Sequence, residues 1–188
     1  TILIFNMSFK SFFALIFAKY IVFKNSFWKK NAVAVQRKTL LSLVSTAKNT
    51  SFGKDHNFKQ INCYDDWKRS VPVRDYEALL KYIKRIISGE KDVLWPGSPI
   101  YFCKTSGTTS GAKYIPISTE SMSHHIITAR DAILSYIAES KNANIVDGKM
   151  IFLQGSPKLK KTGSVLTGRL SGIVAHHVPK YLLKNRLP

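Results

Sequence analysis

Ile100-Tyr101-Phe102-Cys103-Lys104-Thr105-Ser106-Gly107-Thr108-Thr109-Ser110-Gly111-Ala112-Lys113-Tyr114-Ile115-Pro116-Ile117 joins two short apolar runs through a segment of hydroxyls, glycines and lysine. Ile100–Cys103 reads as a buried strand and Tyr114–Ile117 as a second short strand. The segment between them concentrates what polyphosphate binding needs. Gly107 and Gly111 let backbone N–H groups approach oxygens closely and turn several amides toward one anion. The hydroxyls of Thr105, Ser106, Thr108, Thr109 and Ser110 can donate to phosphate oxygens, and Lys113 supplies positive charge. The spacing is not that of a P-loop, which needs four residues between its glycines and a lysine directly after the second. Here three residues separate the glycines, Ala112 precedes the lysine, and Tyr114 stands where a magnesium-binding hydroxyl belongs. A dinucleotide G-x-G-x-x-G is absent as well. Composition alone leaves a plain Ser/Thr/Gly-rich surface loop as the alternative.

Outward from this stretch, helical spacing alternates with short apolar runs. Val33–Ala47 carries Val33, Leu40, Leu41, Leu43, Val44 and Ala47 at helical intervals and ends at Lys48-Asn49-Thr50-Ser51-Phe52-Gly53. Asp65-Asp66-Trp67 reads as the capped start of a short helix that stops before Val71-Pro72. Asp75 is the expected N-cap of another, with Ala78, Leu79, Leu80, Tyr82, Ile83, Ile86 and Ile87 as its core face and Gly89 as its terminator. Trp95–Pro99 reads as a turn. Thr119-Glu120-Ser121 begins a long helix to about Ala138, with Met122, Ile126, Ile127, Ala129, Ile133, Leu134 and Ile137 toward its inner side. Lys149–Leu153 reads as a strand and Gly155–Gly172, rich in Gly, Ser, Thr and Lys, as a loop. The alternation predicts an α/β fold of mixed α+β layers.

The chain of 188 residues carries a net charge of +18, unevenly spread. Residues 1–54 hold 9 Lys or Arg and no acid; residues 55–147 hold 12 against all 11 acids; residues 148–188 hold 8 and again no acid. Two readings follow: cationic ends that pack against acidic segments outside this chain, or a basic module for nucleic acid or an anionic membrane. The first is the expectation, with no nucleic-acid partner and a membrane-surface contact as the weaker alternative. Phe12–Phe23 is apolar apart from Lys19 and Tyr20, too short to span a bilayer and without a signal-peptide cleavage pattern after it. It reads as an amphipathic helix docked on the body. Cys63 and Cys103 show no disulfide or zinc pattern, as in a reduced cytoplasmic protein. Met7 is a candidate translation start.

The segment Thr105–Lys113 resembles the first ATP-phosphate motif of the auxin-responsive-promoter family of acyl-acid amido synthetases, within the adenylate-forming superfamily. Asn49–Lys54, Val71–Glu77, Val93–Gly97, Tyr114–Ile117 and Thr167–Gly172 resemble the family's bacterial members as well, in order, across about residues 35 to 188. The resemblance implies an N-terminal part of the large domain of an adenylate-forming enzyme over 35–188, preceded by a basic, apolar helical segment over 1–34. It implies a two-step ligase: ATP and a carboxylic acid give an acyl-adenylate and pyrophosphate, and an amino acid's amine then forms the amide. Thr105, Ser106, Gly107, Thr108, Thr109, Ser110, Gly111 and Lys113 would hold the phosphates, with Mg2+ bridging phosphate oxygens. The family's later motifs, which resemble Tyr-x-Ser-Ser-Glu and Tyr-Arg-x-Gly-Asp, do not occur in this sequence. The expectation is therefore an N-terminal fragment that does not turn over alone, with a non-catalytic remnant as a further alternative and no catalytic residue assigned.

Two arginines are weaker substrate candidates. Arg169, between Gly168 and Leu170, could line an acyl pocket, and Arg130 on the long helix could approach a carboxylate. His124-His125 and His176-His177 are not expected to form a metal site, because adjacent side chains diverge on a helix or strand.

Overall fold

A computed structural model describes residues 8–105, 111–179 and 183–187 of the chain. Helices α1 (Phe9–Lys30), α2 (Ala32–Ala47), α3 (Ser51–Asp55), α4 (Tyr64–Ser70) and α5 (Tyr76–Ile87) precede the first strands. Strands β1 (Tyr101–Lys104) and β2 (Tyr114–Ile117) then flank the hydroxyl-rich segment, and α6 (Thr119–Ser140) follows. The chain continues through β3 (Met150–Ile151), β4 (Lys160–Thr162), β5 (Val165–Gly168), α7 (Leu170–Ala175) and β6 (Arg186–Leu187). The mixed α/β expectation holds, with helices layered on a mixed four-stranded sheet of order β2-β1-β5-β4. Strand β1 runs antiparallel to β2 and parallel to β5, and β4 runs antiparallel to β5.

Local chemistry explains the boundaries. Asp75 accepts the Ala78 N–H at 2.8 Å and caps α5, and Gly89, at φ +96°, supplies the left-handed residue that ends it. Thr50 caps α3 through the Gly53 N–H, and Ser118 caps α6 through the Ser121 N–H. The pleat of the sheet sorts its side chains. Phe102 and Val165 join Tyr82, Ile83, Ile86 and Val93 in a core under α5. Tyr101, Cys103 and Ile117 turn the other way, against Met122 of α6 and Ile173 of α7. The sheet is thus sandwiched between α5 on one face and α6 with α7 on the other. A separate core of Val44, Ala47, Phe58 and Ile61 joins α2 to the following turns.

Three expectations need correction. Gly155–Gly172 is not a loop: it contains the β4–β5 hairpin and the start of α7, and β5 is an interior strand. The glycines that suggested a loop are sites of close packing. A Cβ on Gly168 would lie 2.7 Å from Leu159 Cδ2, and one on Gly172 would lie 2.2 Å from the carbonyl oxygen of Ser156. The strand expected over Lys149–Leu153 is shorter, pairing only Met150 and Ile151 with β6 in parallel, and Leu153 is fully exposed. Several positions expected on inner helix faces, Ala78, Ile127, Ala129 and Ile133, are exposed instead, as are Val33 and Leu43 of α2.

Helix α1 packs along α6, as a docked helix should, but through small and polar residues. Ser11, Ala18 and Ile21 are buried against Leu134, Ile137 and Ala143, and Asn25 donates to Asp131 at 3.2 Å. Ser8, the N-cap, and Ser11 both donate to the Asp147 carboxylate. Met7 lies outside the described residues. None of the described helices is long and apolar enough to cross a membrane.

Candidate functional site

The hydroxyl-rich segment begins where β1 ends and returns into β2. The β1–β2 ladder pairs Lys104 with Tyr114, so the two strands form a hairpin on either side of the segment. One further rung closes its base: the Thr105 N–H donates to the Lys113 carbonyl at 3.0 Å, and the Lys113 N–H donates to Thr105 Oγ1 at 3.3 Å. Ser106, Gly107, Thr108, Thr109 and Ser110 lie outside the described residues. Gly111 has φ +79°, and a Cβ added to it would meet nothing within 4 Å among the described residues. That left-handed backbone is the conformation for which a glycine is needed here.

Helix α5 holds the returning end of the loop. Tyr76, in its first turn, accepts the Tyr114 N–H on its phenol oxygen at 2.8 Å, and that oxygen lies 3.5 Å from the Tyr114 carbonyl. The same ring carries the Lys113 ammonium 5.4 Å from its centroid, and Glu77 Oε1 lies 4.0 Å from Lys113 Nζ. Lys113 is partly exposed and its contact with Glu77 is at the limit of an ion pair, a weak pairing. Tyr76 and Glu77 were not singled out as site residues in the sequence. Their only signal was the Val71–Glu77 stretch among the flanking matches.

The parallel ladder brings Arg169 to the same end of the sheet. Cys103 pairs with Gly168, so Lys104 and Arg169 follow in step where the two parallel strands end. In open α/β sheets that edge is where ligands bind. Arg169 is exposed and caps α7 with its backbone, and its side chain lies over Gly155, where an added Cβ would meet Arg169 Cδ at 2.9 Å. Ser171 accepts the Gly155 N–H at 2.9 Å and fixes this crossing. One residue inside the edge, Thr167 Oγ1 is buried without a hydrogen-bond partner among the described residues.

Among the described residues no contact brings Arg130 to this edge. It pairs with its neighbour Asp131 at 2.7 Å and lies 5.9 Å from the ring of Phe17, at the α1–α6 contact. The His176–His177 pair diverges. His176 Nε2 contacts the Pro157 carbonyl at 2.7 Å, whereas His177 Nε2 contacts the Tyr101 hydroxyl at 3.2 Å. Among the described residues no group of three or more His, Cys, Asp or Glu could hold a metal ion. A cleft of about 230 Å³ lies between Trp95–Pro99 and Pro116–Ser121, at the far end of β2 from the loop.

Residues 26–186 match a family profile described as the GH3 family N-terminal domain. The chain is similar to a jasmonoyl–L-amino acid synthetase of Nicotiana attenuata, at 26% identity over 142 residues. It is also similar to an indole-3-acetic acid-amido synthetase of Arabidopsis thaliana, at 33% identity over 98 residues. These matches cover 74% and 51% of this chain but 24% and 16% of those proteins. A solved acyl acid amido synthetase in complex with 2,4-DB superposes with a TM-score of 0.73 over 89% of this chain and 28% of that one, at 22% identity. A second acyl acid amido synthetase structure gives a TM-score of 0.69 over 79% of this chain and 27% of that one, at 23% identity. The fold is therefore that of the N-terminal domain of these enzymes, and the chain spans about a quarter of the length of most of them.

Proposed function

The chain belongs to the GH3 family, and we propose that it is the N-terminal part of an ATP-dependent acyl-acid amido synthetase whose nucleotide phosphates sit on the loop from Thr105 to Lys113. One observation carries this reading: a hydroxyl- and glycine-rich hairpin loop, closed at its base by Thr105 and Lys113, at the C-terminal end of a strand parallel to its neighbour. Lys104, Lys113 and Arg169 give that edge a cationic character suited to a polyphosphate.

In the reaction implied, a carboxylate oxygen attacks the α-phosphorus of ATP, and the bond to the bridging oxygen breaks to release pyrophosphate. The amine of an amino acid then attacks the acyl carbon, AMP leaves, and the amine's proton is lost to solvent or a base. This chain's part lies in the first step. Backbone amides and hydroxyls of the loop, with the Lys113 ammonium, would stabilise charge gathering on the departing pyrophosphate. Tyr76 positions the loop through the Tyr114 N–H. Arg169 would border the acyl side of the edge. Mg2+ supplies charge neutralisation when bound to the nucleotide, but the described side chains offer it no cluster of ligands.

We further read the chain as a bacterial-type member working in the cytoplasm, although the two curated relatives are plant proteins. Residues 35–188 would carry the adenylating part and residues 1–34 an added helical arm. Turnover would require the later nucleotide motifs, so this chain alone should bind ATP without forming the amide. Equilibrium dialysis against ATP and AMP tests the assignment. The expected result is a preference for ATP that falls about tenfold or more in Lys113→Ala, the scale of one charge-assisted hydrogen bond. Equal affinity for ATP and AMP, or indifference to Lys113→Ala, would contradict it.

A further inference from the structure

Helix α1 presents its apolar side outward. The face against α6 is built from Ser11, Ala14, Ala18, Ile21 and Asn25. The opposite face carries Phe12, Phe13, Ile16, Tyr20, Phe23 and Phe27, with exposures from 48% to 64%. These lie along one side of the helix at its three- and four-residue spacing, and the Phe12–Phe13 and Phe23–Phe27 pairs meet edge to face. A contiguous aromatic ridge of this extent is not the scattered surface apolarity of an ordinary soluble face. Exposed lysines border it, Lys19 and Lys30 on one side and Lys24 on the other, and residues 1–54 contain no acid.

We propose that this ridge docks α1 flat on an anionic lipid surface, with the aromatic rings in the acyl boundary and the lysines at the headgroups. This inference is independent of the nucleotide reading. The helix does not span a bilayer, being too interrupted by lysine, but an aromatic face bordered by lysines is the pattern of an interfacial helix. Charge disfavours a second copy. A second copy would bring two chains of net charge +18 together, with the lysines of both along one seam. An anionic lipid surface complements those lysines and, being fluid, receives a ridge without needing a matching groove.

The test is co-sedimentation of the full chain with vesicles of phosphatidylcholine alone and of phosphatidylcholine with phosphatidylserine. Since any cationic protein adheres to anionic vesicles, the deciding variant is Phe13→Ser with Phe23→Ser and Phe27→Ser, all remote from the α6 contact; circular dichroism verifies the fold. Expected are retention on the phosphatidylserine vesicles, a blue shift of Trp28 emission, and a loss of about tenfold for each phenylalanine removed. Lys24→Gln should cost about fivefold. Retention that survives the serine substitutions and vanishes with salt would mean charge alone, and would overturn the proposal. So would association of the chain without lipid that the same substitutions abolish, which marks a second copy. Loss of vesicle binding in a chain extended by its downstream sequence, with the α1 ridge protected from exchange, would overturn it as well.

Discussion

The phenol oxygen of Tyr76 accepts the backbone N–H of Tyr114 at 2.8 Å, tying the first turn of α5 to the residue where the hydroxyl-rich connection re-enters the sheet. Strand β2 is an edge strand, so this amide has no strand partner on its open side, and a side chain supplies the acceptor instead. Tyr76→Phe keeps the ring under Lys113 and removes the hydroxyl that accepts this N–H and faces the Tyr114 carbonyl. A loss of about 1–2 kcal/mol is expected, with faster hydrogen exchange at the Tyr114 amide. Unchanged exchange at Tyr114 would show that the tyrosine does not hold the loop.

Gly172 is required by contact. Its missing side chain lets the backbone of Ser156 cross the start of α7, where a Cβ would fall 2.2 Å from the Ser156 carbonyl oxygen. Backbone cannot swing aside as a side-chain tip can. Gly172→Ala should therefore cost about 2–3 kcal/mol in denaturant unfolding and displace the Arg169 edge. A neutral effect would contradict the packing of residues 155–157 over α7.

The attachment of α1 should depend on pH through Asp147. Hydrogen bonds from Ser11 and then Ser8, with Lys10 nearby, hold its carboxyl below the usual 3.8. A depressed value means that the folded state favours the ionised form. Its contribution is present above pH 3.8 and is lost as the pH falls below that toward the folded value. Amide exchange at Phe12, whose N–H donates to the Ser8 carbonyl, should quicken over that range. Asp147→Asn should show the quickened exchange at every pH.

Tyr82 gives a second titration with the opposite sense. Burial, then its hydrogen bond to Asp55 at 2.7 Å, pushes the phenol up to about 12 from 10.0. The folded state thus favours the neutral phenol, so the stability it contributes is complete below pH 10 and lost as pH rises toward 12. Ultraviolet titration should show one tyrosine ionising late, and Tyr82→Phe should remove it.

Much of this framework was legible in the sequence because it is local. Asp75 and Gly89 bracket α5 by cap chemistry, and α6 begins at Thr119 as read, although its cap, Ser118, was not singled out. The hairpin around the loop was visible as two apolar runs. Residues 155–172 misled because β5 exists through its parallel pairing with β1, some sixty residues away in sequence, and its glycines mimic a loop while serving close packing. The inner face of α1 was equally hidden. Hydrophobic spacing assumes that the apolar side faces the core, whereas here serine, alanine and asparagine do. At the site, Lys113 and Arg169 were legible as charges, but the Tyr76 clamp depends on tertiary structure alone.

The central claim is that the loop between β1 and β2 holds the phosphates of ATP. Amide chemical-shift mapping of the chain titrated with ATP and Mg2+ tests it most directly. The account predicts shifts concentrated at Thr105, Gly111, Lys113 and Tyr114, reaching Arg169 across the strand ends, and suppressed in Lys113→Ala. Shifts confined to the lysines of α1, or none at the loop at saturating ATP, would contradict it.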